Sequence, residues 1–133
     1  MIAFGYLMSD AGPASGHYVE LQEAKLFSML RTFLQFVDVN EAWYLKTNPD
    51  VADAVQAGEL DSAKAHYIAA GYFENRLPRP VKVDEAWYLM EYPDVAEAIG
   101  VGTVDSASLH FMKFGFVEGR LPQPGWSLLC DPV

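Results

Sequence analysis

A stretch of 44 residues is written twice in this chain, and that duplication limits the folds open to it. Residues 37–80 read VDVNEAWYLKTNPDVADAVQAGELDSAKAHYIAAGYFENRLPRP, and residues 81–124 read VKVDEAWYLMEYPDVAEAIGVGTVDSASLHFMKFGFVEGRLPQP. They align without a gap and agree at 23 of 44 positions. Most differences are conservative, as in Val55 and Ile99, Tyr67 and Phe111, or Tyr72 and Phe116. A period of roughly 20 to 50 residues marks stacked supersecondary units, none able to bury its apolar face alone. The chain therefore divides into a segment 1–36, a first repeat 37–80, a second repeat 81–124 and a tail 125–133, together one compact domain. The two repeats are expected to bury their Trp, Tyr and Val sets against each other.

Each unit reads as short helices separated by turns. Asn40 and Asp84 suit N-caps, and Ala, Trp, Tyr and Leu follow each. Asn48-Pro49-Asp50 and Tyr92-Pro93-Asp94 open a second helix. Proline fits the first helical position, where its missing N–H costs nothing, and the aspartate complements the helix dipole. Val51, Ala52 and Val55 keep helical spacing up to Gly58, as Val95, Ala96 and Ile99 do before Gly100 and Gly102. A third helix starts at Asp61-Ser62 or Asp105-Ser106 and stops at Gly71 or Gly115. Arg-Leu-Pro-x-Pro then closes the unit, because proline cannot continue a helix. Nowhere does a two-residue alternation persist, so the expected class is all-α.

The two ends differ from the repeats. Leu26, Met29, Leu30, Phe33 and Leu34 recur at i, i+3 and i+4 within residues 17–36, predicting one amphipathic helix about 30 Å long. Its polar face carries too few cations for a membrane surface. That helix packs on the repeats or on another chain, and the two are compatible. Trp126, Leu128 and Leu129 make an apolar tail, which either caps the last unit or docks into a partner. Leu26, Met29, Leu30, Phe33, Leu34, Trp126 and Leu129 are thus the candidate interaction residues.

Composition narrows the function classes. Of 133 residues 51% are hydrophobic, more than the interior of one small monomer needs, so part of that surface is expected to cover a protein partner or a second copy. A net charge of −9 argues against nucleic acid, whose phosphates require clustered Lys and Arg, and against anionic membranes. The stretch Met1 to Ser9 lacks a basic flank and a long apolar core, so no secretory signal or transmembrane segment is expected. The expected location is cytoplasmic, with signal-independent secretion left open. Cys130, the single cysteine, makes no internal disulfide and lies beside Asp131, which raises rather than lowers a thiol pKa.

Few side chains carry chemistry. His66, Glu74 and Arg76 recur as His110, Glu118 and Arg120. Histidine with a carboxylate and a guanidinium could make an acid–base site. Its duplication favours a structural latch instead, with Glu and Arg closing the turn and the histidine bonding a backbone carbonyl, since stacking needs the same latch in every unit. Trp43, Tyr44, Trp87 and Tyr88 could form an aromatic platform for a glycan or a proline-rich peptide, although aromatics repeated in register are more often core. Asp50 and Asp94 fit caps better than cation ligands. His17, His66 and His110 lack ligand-spaced neighbours, and neither a calcium loop, a phosphate-binding glycine loop nor a nucleophile elbow is present. Neither metal nor cofactor is expected.

The order A-W-Y-L, (N/Y)-P-D-V-A, H-(Y/F) and G-(Y/F)-x-E-x-R-x-P resembles a short helical repeat of bacterial proteins, in which a "YL…YPDV" segment precedes "HY…G…EGR". Such units occur beside glycosyltransferase domains and in large calcium-binding surface proteins. The resemblance covers 37–124 and is closer in the second copy, with Glu118-Gly119-Arg120 against Glu74-Asn75-Arg76. It implies an accessory repeat without catalysis. The expected function is a non-catalytic interaction module, an accessory or adaptor subunit or a homo-oligomer of a larger bacterial assembly. A glycan-binding module is the alternative.

Overall fold

The computed structural model describes residues 3, 4 and 20–129, and these are helical without a strand, as expected of an all-α chain. Helix α1 covers Glu23–Leu34. A first set follows, with α2 at Glu41–Thr47, α3 at Pro49–Gln56 and α4 at Ala63–His66, the last running into a π-helical turn, Tyr67–Gly71. The second set holds α5 at Glu85–Glu91, α6 at Pro93–Gly100, α7 at Ala107–His110 and a π-helical turn, Phe111–Gly115. Every bound of the first set recurs 44 positions on, from Glu41 and Glu85 to Gly71 and Gly115.

Local chemistry explains these bounds. The Asn40 and Asp84 carboxamide and carboxylate oxygens accept from the amides of Trp43 at 3.0 Å and Trp87 at 3.1 Å. Pro49 and Pro93 occupy the first turn of α3 and α6, and Gly58 and Gly102 end those helices at φ +75° and +76°. Helices as short as α4 and α7 need outside support. Ser62 and Ser106 accept from Ala65 at 3.0 Å and Leu109 at 3.1 Å. Glu41 reaches across from α2 to accept from the Ala63 and Lys64 amides at 2.9 and 3.1 Å. Glu85 likewise accepts from the Ser108 hydroxyl at 2.7 Å.

Gly71 and Gly115 prove to be more than stop signals. Neither has a positive φ. A Cβ added to Gly71 would fall on the Tyr44 hydroxyl, and one on Gly115 on the Tyr88 hydroxyl. Glycine stands there because a tyrosine lies against the backbone. The π-helical turn widens the chain at that point, with Tyr72 N–H donating to Tyr67 at 3.0 Å and Arg76 N–H to Gly71 at 2.9 Å, each five residues back.

Helix-on-helix packing stays inside each set, α2 and α3 on α4, α5 and α6 on α7. This corrects the expectation that the two units bury their aromatic sets against each other. Tyr44, Tyr67 and Tyr72 stack edge-on within the first set at 5.9 and 6.4 Å, and Tyr88, Phe111 and Phe116 within the second at 6.2 and 6.3 Å. The buried side chains nevertheless join into one continuous cluster from Ala3 to Leu128. Each set also ends where it began, as the amides of Asn40 and Asp84 donate to the carbonyls of Pro78 at 3.1 Å and Pro122 at 2.9 Å.

Helix α1 is shorter than the sequence suggests. Residues 20–22 are not helical, 17–19 lie outside the described residues, and Gln22 at the N-cap supplies no side-chain bond. Leu30 and Leu34 are buried and Leu26 is partly so, while Phe27 meets Phe4 at 5.6 Å and Phe73 at 4.9 Å. Leu30 and Leu34 are therefore core residues of this chain rather than partner contacts. In the tail, Trp126 lies edge-on to Phe111 at 5.9 Å and Phe116 at 6.3 Å, and Leu128 is buried. Cys130 lies outside the described residues.

Candidate functional site

The repeated polar residues form two matching clusters. In the first, the Arg76 guanidinium forks onto Asp50 at 3.0 and 2.8 Å, donates through Nε to Glu74 at 2.6 Å, and reaches the Asn48 side-chain oxygen at 2.9 Å. In the second, Arg120 forks onto Asp94 at 2.9 and 2.6 Å and donates through Nε to Glu118 at 2.7 Å. Where Asn48 stands in the first set, Tyr92 lies beneath the guanidinium, 4.9 Å from its centre, and accepts from the Leu121 amide at 2.9 Å. The fork holds the Asp50 carboxyl down to about 2 and the Asp94 carboxyl likewise low, and it raises both arginines. Glu74 and Arg76 do pair, as do Glu118 and Arg120. The sequence reading missed that Asp50 and Asp94 complete the cluster, although each aspartate recurs with its arginine 26 positions on.

The histidines take a different partner from the one expected. His66 Nδ1 lies 3.1 Å from the Tyr44 hydroxyl and His110 Nδ1 lies 3.0 Å from that of Tyr88, with no backbone carbonyl involved. Burial pushes Tyr44 up to about 12 and raises Tyr88, so both hydroxyls keep their protons. Desolvation lowers His66, leaving a neutral ring that shares one hydrogen with the Tyr44 hydroxyl at Nδ1. The pair sits where Gly71 lets the backbone close over it. A phenol and an imidazole with their hydrogen-bonding committed to each other are a structural tie.

Tyr44 and Tyr88 are fully buried and so cannot share a ligand platform with Trp43 and Trp87. Trp43 does border a cleft of about 190 Å³ with Thr47, Asn48, Asn75, Arg76, Leu77 and Met112. Its polar lining is already engaged, since Thr47 donates to the Trp43 carbonyl at 2.8 Å, Asn48 to the Tyr44 carbonyl at 2.8 Å, and Arg76 is bonded as described. Among the described residues, no group of three or more His, Cys, Asp or Glu could hold a metal ion, and no helix is long and apolar enough to cross a membrane.

Several large apolar side chains also stand outside. Met29 and Phe33 on α1 are exposed, with Leu21 and Phe36 flanking it, and Leu129 is exposed in the tail. The second set adds Met90, Val101, Met112, Phe114 and Val117, which the sequence reading did not single out. The signal lay in the differences between the copies, where Lys46 becomes Met90 and Ala70 becomes Phe114. No protein-family model, no curated protein and no solved structure matches the chain.

Proposed function

We propose that the chain is a non-catalytic protein–protein interaction module: two tandem 44-residue helical repeats, 37–80 and 81–124, behind an amphipathic N-terminal helix and ahead of a capping tail. It serves as a small accessory or adaptor subunit, or as a homo-oligomer, of a larger cytoplasmic bacterial assembly. The observation that carries this reading is the division of labour among its side chains. The residues able to do chemistry are each bonded within their own unit, His66 to Tyr44 and Arg76 to Glu74 and Asp50, with the same pairs in the second set. The large apolar residues at Met29, Phe33, Phe36, Phe114 and Val117 face outward. Exposed apolar surface of this kind is what interaction sites are made of. The likeness of 37–124 to a bacterial accessory repeat supports the same reading.

Amine cross-linking in the source cells, read by mass spectrometry, tests it. Lys25 lies on α1 and Lys113 between Met112 and Phe114, whereas Lys46 and Lys82 lie elsewhere. Intermolecular links are expected to concentrate on Lys25 and Lys113. A chain recovered without any intermolecular link, and monomeric, refutes the proposal.

A further inference from the structure

The first set has one face covered by the rest of the chain. Helix α1 packs against the turn Tyr67–Gly71. Phe27 and Phe4 meet Phe73 at 4.9 and 5.0 Å, and Arg31 donates to the Ala69 carbonyl at 3.2 Å while lying 5.1 Å over the Phe73 ring. Ile68, Ala70 and Phe73 are half-buried there. The equivalent positions of the second set are Met112, Phe114 and Val117, and they are 44%, 52% and 43% exposed. No described helix outside the second set packs on the turn Phe111–Gly115. The open face is also larger in apolar bulk than the covered one, since Phe114 replaces Ala70.

Helix α1 in turn has an edge that its own core does not use. Met29, Phe33 and Phe36 follow one another at i, i+4 and i+7 and are 48%, 47% and 76% exposed. We propose that the Met112–Phe114–Val117 face receives Met29 and Phe33 of α1, with Phe36 in the turn just beyond it, from a second copy of the chain. Each α1 is then clasped between its own first set and the second set of the next molecule. The chain itself shows what fits: on the first set, the same face of the same turn already holds an apolar edge of this same helix. Two different patches are joined, so the contact is heterologous and adds copies head to tail. This inference rests on the interaction-module reading and names its partner.

Sedimentation velocity of the full chain over a wide concentration range tests it, with two variants. Wild type is expected to grow in mass with concentration without stopping at a dimer. Phe33→Asp and Val117→Asp are each expected to be monomeric. Mixed in equal amounts, they should form a 1:1 dimer that grows no further, because only one intact edge and one intact face remain between them. Circular dichroism checks that both variants fold, and Met29→Glu and Met112→Glu replace either one that does not. Monomeric wild type, variants that assemble as wild type does, or a mixture that stays monomeric overturns the head-to-tail contact. A wild type that is monomeric alone yet cross-links to another protein through Lys25 overturns this inference and leaves the interaction module standing.

Discussion

The two sets share a skeleton and differ in what surrounds it. Both fork an arginine onto an aspartate, tie a tyrosine to a histidine, and press that tyrosine against a glycine. The first set places a tyrosine hydroxyl and a guanidinium in its interior that the second set lacks. Tyr67 is buried with a hydroxyl that has no partner among the described residues, and Arg79 is buried with one nitrogen 3.2 Å from the Asp38 carboxylate. The second set has Phe111 for Tyr67, Phe116 for Tyr72, and Gln123 and Lys82 for Arg79 and Asp38. Its interior is plainer and its outer face more apolar. What both sets keep closes a unit on itself; what they vary decides what each meets outside.

The largest test of the shared part is the glycine pair. Gly71→Ala and Gly115→Ala each force a methyl onto a tyrosine hydroxyl, and overpacking of this kind costs about 1–3 kcal/mol. Urea denaturation should show similar losses for both; a loss in only one would break the equivalence of the sets. The next test converts one interior into the other. Tyr67→Phe removes a buried hydroxyl without a partner among the described residues and should raise stability by about 1 kcal/mol, whereas Phe111→Tyr should lower it by about 1–3 kcal/mol.

Acid sensitivity sharpens the comparison of the forks. The folded Asp50 carboxyl is held at about 2 against 3.8 unfolded, and Asp94 is lowered too. The stability Asp50 contributes is present above pH 3.8 and is lost as the pH falls through about 2, and Asp94 acts in the same direction. Arg76→Met should flatten part of that acid limb in an unfolding series, and Arg120→Met should do the same. The effect is weaker than the glycine effect because both aspartates stand largely in solvent. His66 adds a separate step: its folded pKa is lowered, so stability falls as the pH drops below 6.5. His66→Gln should remove that step. The smallest effect belongs to the turn after the π-helix, where Asn75 has φ +59° and Gly119 +75°. Asparagine tolerates this left-handed region, so Gly119→Asn should change stability by less than about 0.5 kcal/mol in the same urea assay.

Much of the local structure was legible from nearest neighbours along the chain. Asn40, Asp84, Ser62 and Ser106 cap helices as their types and spacing imply, and Pro49 and Pro93 open them. Contacts between residues far apart in sequence were not legible. Glu41 reads as a first-turn acid of its own helix, yet its carboxylate caps α4 some 22 residues away. Asp50 has two readings in sequence, a helix cap and a cation ligand, and only the fold brings Arg76 to it. A repeated aromatic pair says that two rings recur, not that Tyr44 turns fully inward while Trp43 stays at a cleft. Likewise the period identifies a unit without saying whether it closes on itself or on its neighbour.

The bond from Asn40 to Pro78, matched by Asp84 to Pro122, has a consequence for how such a chain can lengthen. Each returns the end of a unit to its own beginning, and none of the forks, ties or caps described above crosses the joint between Pro80 and Val81. A duplicated stretch of gene inserted at that joint carries a whole closed loop with it and severs no existing one. Growth by copying then keeps the hydrogen-bonded closure of each older unit, while the apolar core that runs through both sets must be refitted at the new joint.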